Sequence, residues 1–262
     1  MSSRPKTQKK RWPRRVLVTL AIVVGVPALV LGVEIWLALR REYLPTDEPL
    51  ELDAAFGPEG APPLELVVLG DSTAAGIGVD DPADAYPTLL ARRLAAATRR
   101  RVELTAVGIA GARVGDVADE QAPRAVALDP DLVFVGIGAN DVTHLTSLGD
   151  VRTDVTRALR TLQSGGAAVV VAGPPDMRVP VWHQPLRQLS YLRGKQVEGV
   201  VEDVARAEGA GFVELADETG PFFEEDPEAH FSDDGFHPGP LGYRRWADAI
   251  FPVLLEAARS SD

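Results

Sequence analysis

The chain of 262 residues contains no cysteine. That absence excludes a disulfide framework, a thiol nucleophile, a thiolate metal site and the acylated cysteine of a lipobox-type anchor, and it leaves the redox compartment open. Histidine is scarce as well. Only His144, His183, His230 and His237 occur, so an imidazole base must come from a short list. None of the four falls at zinc-ligand spacing with the carboxylates, and neither a metal nor a cofactor is expected. Basic charge is missing from most of the chain. Seven basic side chains and no acidic one stand in the first fifteen residues, leaving 20 basic against 38 acidic groups, a net of −18, in the rest. A body of that charge repels phosphate backbones, so nucleic acid is not an expected partner. Two nucleotide and esterase signatures also fail. The stretch from Gly70 to Gly78 has no following lysine and no Walker A spacing. A G-x-S-x-G elbow is broken by Ala74 at its second glycine position. No internal repeat is visible.

What is present at the front is a long apolar run. After Arg4, Lys6, Lys9, Lys10, Arg11, Arg14 and Arg15, the residues from Val16 to Val33 carry no charge, and past Glu34 the apolar pattern continues to Leu39, before Arg40 and Arg41. A helix over 16–39 is about 36 Å long, enough to cross a hydrocarbon core of about 30 Å. With the basic cluster ahead of it, such an anchor keeps the amino terminus in the cytoplasm and sends the rest across the membrane. The alternative is a cleaved signal peptide, with a weak cleavage site at Val30-Leu31-Gly32 and a secreted product. The Arg14-Arg15 pair matches a twin-arginine signal poorly. Residues 40–63, rich in Pro, Glu, Asp and Ala and without a period, read as an exposed spacer. A single domain is then expected over 64–258.

Within that domain, buried-strand runs alternate with helical patterns. The strands are expected at Leu66–Gly70, Val102–Val107, Leu132–Ile137, Ala167–Ala172 and Gly211–Glu214, each a short, nearly continuous apolar run. Helices are expected over Ala85–Thr98 with Asp84 as cap, Asp116–Leu128, around Val151–Leu162, Leu186–Glu208 and Pro240–Ala257. Residues 217–236 show no period and read as an acidic, aromatic-bearing loop. Strand–helix alternation implies right-handed βαβ units and a parallel sheet covered on both faces.

The chemistry follows from where the strands stop. Gly70 ends the first domain strand and allows a sharp turn, which puts Ser72 at the carboxyl edge where such sheets bind ligands. Ser72 is therefore the candidate nucleophile, although Gly-Asp-Ser-Thr also suits a plain turn or helix cap. His237 lies in Ser232-Asp233-Asp234-Gly235-Phe236-His237-Pro238, just before the last helix. A carboxylate three residues before an imidazole can take its Nδ1 proton and fix the tautomer, leaving Nε2 to accept the hydroxyl proton of Ser72. Asp234 has that spacing. A polar helix-entry loop is the plainer alternative for this stretch.

Taken together, Gly70-Asp71-Ser72-Thr73, the later Gly111, Gly138-Ala139-Asn140-Asp141 and Asp234-Gly235-Phe236-His237 resemble the successive blocks of the SGNH (GDSL-type) hydrolases, in order and spacing, over roughly 64–255. The resemblance implies a three-layer α/β/α sandwich with a flavodoxin-like parallel sheet of about five strands. It implies Ser72, Asp234 and His237 as the triad, and an oxyanion hole made by Ser72, Gly111 and Asn140, with Gly108 a rival to Gly111. The physics agrees: backbone N–H groups and a non-titrating amide can stabilise the charge that develops on an ester carbonyl. Asp71 and Asp141 are expected to shape their loops through backbone hydrogen bonds. The expected activity is a membrane-tethered serine ester hydrolase acting on small-molecule, glycan or lipid esters; the alternative is an acyltransferase with the same triad. A vestigial, non-enzymatic module is the bland reading, disfavoured by the intact set of residues.

Overall fold

The five apolar runs become the parallel strands of one sheet because each is covered on both sides, so neither of its faces needs polar residues. A computed structural model describes residues 14–46 and 50–260. After helix α1 (Arg14–Arg40), the chain forms β1 (Ala54–Phe56), β2 (Pro63–Gly70), α2 (Tyr86–Thr98), β3 (Arg101–Ala106), α3 (Val114–Asp116), a π turn at Val117–Gln121, and α4 (Ala122–Val126). Then come β4 (Leu132–Gly136), α5 (Ala139–Thr143), α6 (Leu148–Ser164), β5 (Ala168–Ala172), α7 (Leu186–Glu208), β6 (Gly211–Val213), α8 (Leu215–Glu225), α9 (Pro227–His230) and α10 (Pro240–Ser260). Strand order is β1-β3-β2-β4-β5-β6, parallel throughout except for β1, which runs antiparallel to β3.

Alternation along each strand divides the core in two. Leu66 and Val68 of β2, Phe134 of β4 and Val170 of β5 face one cluster, completed by Leu90 and Leu94 of α2 and by Tyr243 and Ile250 of α10. Val67, Leu69, Val133, Val135 and Val171 face the other, closed by α4, α6 and α7 through residues such as Ala122, Leu159 and Val201. Helices on both faces of one sheet make the three-layer α/β/α sandwich, and its carboxyl edge collects the loops after β2, β3 and β4.

Four features differ from what the sequence suggests. The spacer is not free of structure: β1 lies inside it and adds an antiparallel edge strand, so the sheet is mixed and six-stranded. Three residues are too short to show a period, and β1 is held by contacts from elsewhere. Leu52 is buried, the Asp53 carboxylate accepts the Ala106 N–H at 2.9 Å, and Arg92 stacks over Phe56. Second, residues 217–236 are largely helical. The buried face of α8 is Leu215, Ala216, Thr219, Gly220 and Phe223, helical spacing blurred by two small residues. Third, Asp84 does not cap α2; it closes a 3₁₀ turn capped by Asp81 and pairs with Arg244 of α10 at 2.9 Å, while Ala85 precedes α2 without a side-chain cap. Fourth, a short helix, α5, begins at Ala139, where no helix is expected from the sequence.

The segment Ile22–Arg40 of α1 is long and apolar enough to cross a membrane, and its side chains are largely exposed, among them Val23 and Leu29. The basic side chains from Arg4 to Arg11 lie outside the described residues.

Candidate active site

Ser72 sits where β2 meets β4 at closest approach. Gly70 has φ +150°, and a Cβ there would stand 2.3 Å from the Gly136 carbonyl oxygen. Its peptide is pinned by Gln121 of the π turn: Oε1 accepts the Gly70 N–H at 2.9 Å and Nε2 donates to the Gly70 carbonyl at 2.8 Å. This glutamine is fully buried and was not evident as a site residue. Its one sequence signal is a polar residue among Val117, Ala118, Ala122 and Ala125, on the face that fills the core. Beyond the strand, Asp71 Oδ1 accepts both the N–H and the hydroxyl of Thr73, at 2.9 and 2.8 Å. The Ser72 carbonyl accepts the Ile77 N–H at 3.0 Å, closing a tight turn. Burial pushes the Asp71 carboxyl above its ordinary range, against the opposing bonds from Thr73.

His237 reaches this turn from the loop before α10. The loop is pinched at its base by a bridge between Phe231 and Pro238, with the Ser232 N–H on the His237 carbonyl at 2.8 Å. It packs on the nucleophile turn without slack, since a Cβ on Gly78 would lie 2.2 Å from the Pro238 carbonyl oxygen. His237 Nε2 is 3.0 Å from Ser72 Oγ, and its Nδ1 is 2.6 Å from Asp234 Oδ2. The other carboxylate oxygen of Asp234, Oδ1, accepts Ser232 Oγ–H and the N–H groups of Phe236 and His237 at 2.8–2.9 Å. Burial alone would raise this carboxyl. The hydrogen bonds from His237 and from the two backbone N–H groups outweigh it and hold Asp234 well below the ordinary carboxylate range. All three side chains are buried, Ser72 being 9% exposed.

The two remaining loops are tied to each other. Asn140 Nδ2 donates to the Ala112 carbonyl at 3.0 Å, and Asp141 Oδ2 accepts the Val114 N–H at 3.0 Å. One hydrogen of the Asn140 amide stays available, and among the described residues neither the Ser72 nor the Gly111 N–H has an acceptor. Gly111 adopts φ +80° with open space around its missing side chain; Gly108, by contrast, lets the chain pass Ala74, from which a Cβ would stand 2.7 Å away. The first glycine is required by a turn, the second by packing. Burial raises the Asp141 carboxyl, partly offset by the bond from Val114.

An apolar cleft opens beside Ser72, Asn140 and His237, walled by Met177, Val179, Phe223, Phe231, Phe236 and Trp246. Trp182 and Phe222 of α8 do not line it. The remaining histidines stand apart from the Ser72–His237 pair. His144 is exposed and bonds the Asn140 carbonyl at 2.9 Å; exposed His183 touches Glu34 through its backbone; buried His230 bonds the Asp226 carbonyl at 2.8 Å and packs on Phe223. Among the described residues, no group of three or more His, Asp or Glu side chains is placed to hold a metal ion.

Residues 68–245 match the model of the GDSL-like lipase/acylhydrolase family. The GDSL-like esterase Rv1075c of Mycobacterium tuberculosis is 35% identical over 196 residues, an overlap covering 74% of this chain and 62% of that relative's length. Among solved structures, that of TesA superposes with a TM-score of 0.59 at 22% identity, covering 74% of this chain and 99% of that one. The lipase/acylhydrolase of Enterococcus faecalis gives 0.57 at 20% identity, covering 74% and 96%. At those identities the superpositions show a shared fold.

Proposed function

The chain belongs to the GDSL-like lipase/acylhydrolase family, and from that premise we propose that it is a membrane-tethered, extracytoplasmic serine esterase that cleaves carboxylic esters through an acyl-enzyme. The observation that carries this reading is the relay from Ser72 Oγ through His237 to Asp234, with steps of 3.0 and 2.6 Å, at the mouth of an apolar cavity.

In the first half-reaction Ser72 Oγ attacks the ester carbonyl carbon while His237 Nε2 takes the hydroxyl proton. Asp234 accepts Nδ1–H, selects the tautomer that leaves Nε2 free, and stabilises the imidazolium. The carbonyl oxygen becomes an oxyanion held by the N–H groups of Ser72 and Gly111 and by the Asn140 amide; one such donor is typically worth about 3 kcal/mol. Collapse breaks the bond to the alkoxy oxygen, which leaves as the alcohol with the proton from Nε2. In the second half, water gives a proton to Nε2 and attacks the acyl-enzyme carbonyl, and the acid is released with Ser72 re-protonated. The apolar cavity suits the acyl part of the substrate.

Tethering is supported by the exposed apolar surface of α1, by the basic residues before it and by the acidic body after it. The test of the catalytic reading is Ser72→Ala in the full chain, assayed on a chain-length series of chromogenic esters. Turnover is expected to vanish at every length while the melting temperature holds; substantial residual turnover would count against Ser72 as nucleophile.

A further inference from the structure

The catalytic acid proposed above is seated partly by residues far from it in sequence, at the point where the chain leaves α1. Asp234 Oδ1 is satisfied within its own loop, but Oδ2, the oxygen facing His237, accepts one further bond, from the Leu44 N–H at 3.2 Å. Three residues earlier, the Arg41 guanidinium donates to the Asp234 carbonyl oxygen at 3.3 Å. Between them, the Tyr43 ring meets Phe236 edge-on, with centroids 5.0 Å apart. Trp182 closes the cluster, its Nε1–H donating to Tyr43 Oη at 3.4 Å and its ring lying 5.8 Å from Phe236. Phe236 in turn stands edge-on to the His237 imidazole at 5.1 Å.

Resting on the triad reading, we propose that Arg41, Tyr43 and Leu44 form a juxtamembrane clasp that positions Asp234, and through it His237, for proton transfer. A donor on Oδ2 restricts the carboxylate to the rotation in which that oxygen faces Nδ1, and the Tyr43–Phe236 contact restrains the backbone between the acid and the base. None of Arg41, Tyr43 and Leu44 lines the cavity beside Ser72, which Tyr43 reaches only through Phe236, so the Leu44 N–H acts on the rate of chemistry and not on substrate binding. Leu44 follows Arg40, the last residue of α1, by four positions, at most about 14 Å of extended chain. Asp234 is thereby tied to the residues that directly follow α1.

The test separates the N–H of Leu44 from its side chain in the full-length protein. Leu44→Pro removes the donor; Leu44→Ala keeps it. Leu44→Pro is expected to have a kcat about tenfold below that of Leu44→Ala, the scale of one hydrogen bond to a charged group, with KM values within about twofold of each other. The acidic limb of the kcat/KM profile should also move to lower pH in Leu44→Pro, because a carboxylate free to turn away from Nδ1 stabilises the imidazolium less. Equal kcat and superimposable pH profiles in the two variants overturn the clasp. If Leu44→Pro does not fold, Tyr43→Ala decides: a lower kcat at unchanged KM and melting temperature supports the clasp, and an unchanged kcat overturns it. Ser72→Ala run alongside keeps the two ideas apart. Turnover surviving in Ser72→Ala sinks the triad and the clasp together, whereas an inactive Ser72→Ala with matched Leu44 variants sinks the clasp alone.

Discussion

Two buried aspartates near Ser72 shift in opposite directions because different partners oppose the same desolvation. Both are buried, which penalises the ionised form. Asp234 collects donors on both oxygens and stays ionised; Asp71 has Thr73 alone on one oxygen, and burial wins. Because the folded pKa of Asp71 lies above its ordinary 3.8, the native state holds this proton more tightly than the unfolded chain. Its contribution to stability is then present below pH 3.8 and is lost as pH rises through the folded value. Asp71→Asn keeps an acceptor for Thr73 without the charge. Its stability relative to the parent, from urea melts, should improve steadily from about pH 4 upward and then level off; a difference that does not change with pH contradicts this account. Ser72, His237 and Asp234, the proposed nucleophile, base and acid, could be picked from the sequence because each sits in a short motif at a strand or loop end. Gln121 and the Leu44 N–H could not. Each acts on a residue 51 and 190 positions away respectively, and a backbone donor leaves no trace in side-chain identity.

At the level of elements, the five parallel strands were legible since burial on both faces makes their sequences continuously apolar, and α7 was bounded by its own pattern at Leu186 and Glu208. What escaped was whatever depends on packing and not on period: a three-residue edge strand, and α8, whose buried face includes Thr219 and Gly220. The β2–β4 junction shows how closely the elements are fitted. Gly70→Ala places a methyl 2.3 Å from the Gly136 carbonyl oxygen, so the strands must part just before Ser72. A loss of about 1–3 kcal/mol is expected from such overpacking, together with a fall in kcat. Gly199→Ala is the contrast, a glycine in α7 with nothing within 4 Å of the added methyl. That change should stabilise by about 0.5–1 kcal/mol. Chemical unfolding of the two variants checks both; a neutral Gly70→Ala contradicts the close approach of the strands.

On the scale of the whole molecule, the sequence divides into a basic front, an apolar helix and an acidic body, and the fold puts the candidate site on the body next to the helix exit. Helix length and exposure were readable from the uncharged run; the contact between 41–44 and the acid–base loop was not, because it joins two aperiodic stretches. If α1 spans the membrane with the basic end inside, protease added to intact cells should degrade the body and leave a short protected fragment containing α1. A fully protected body contradicts that topology, and a body released to the medium without protease points to cleavage after the apolar run.

One serine hydroxyl, activated by one imidazole, is proposed to perform the chemistry. This is tested most directly by treating the full-length protein with a fluorophosphonate and locating the adduct by peptide mass spectrometry. A single adduct on Ser72 is expected, absent in Ser72→Ala and formed far more slowly in His237→Ala. An adduct on another residue, or one that persists in Ser72→Ala, would contradict this role for Ser72.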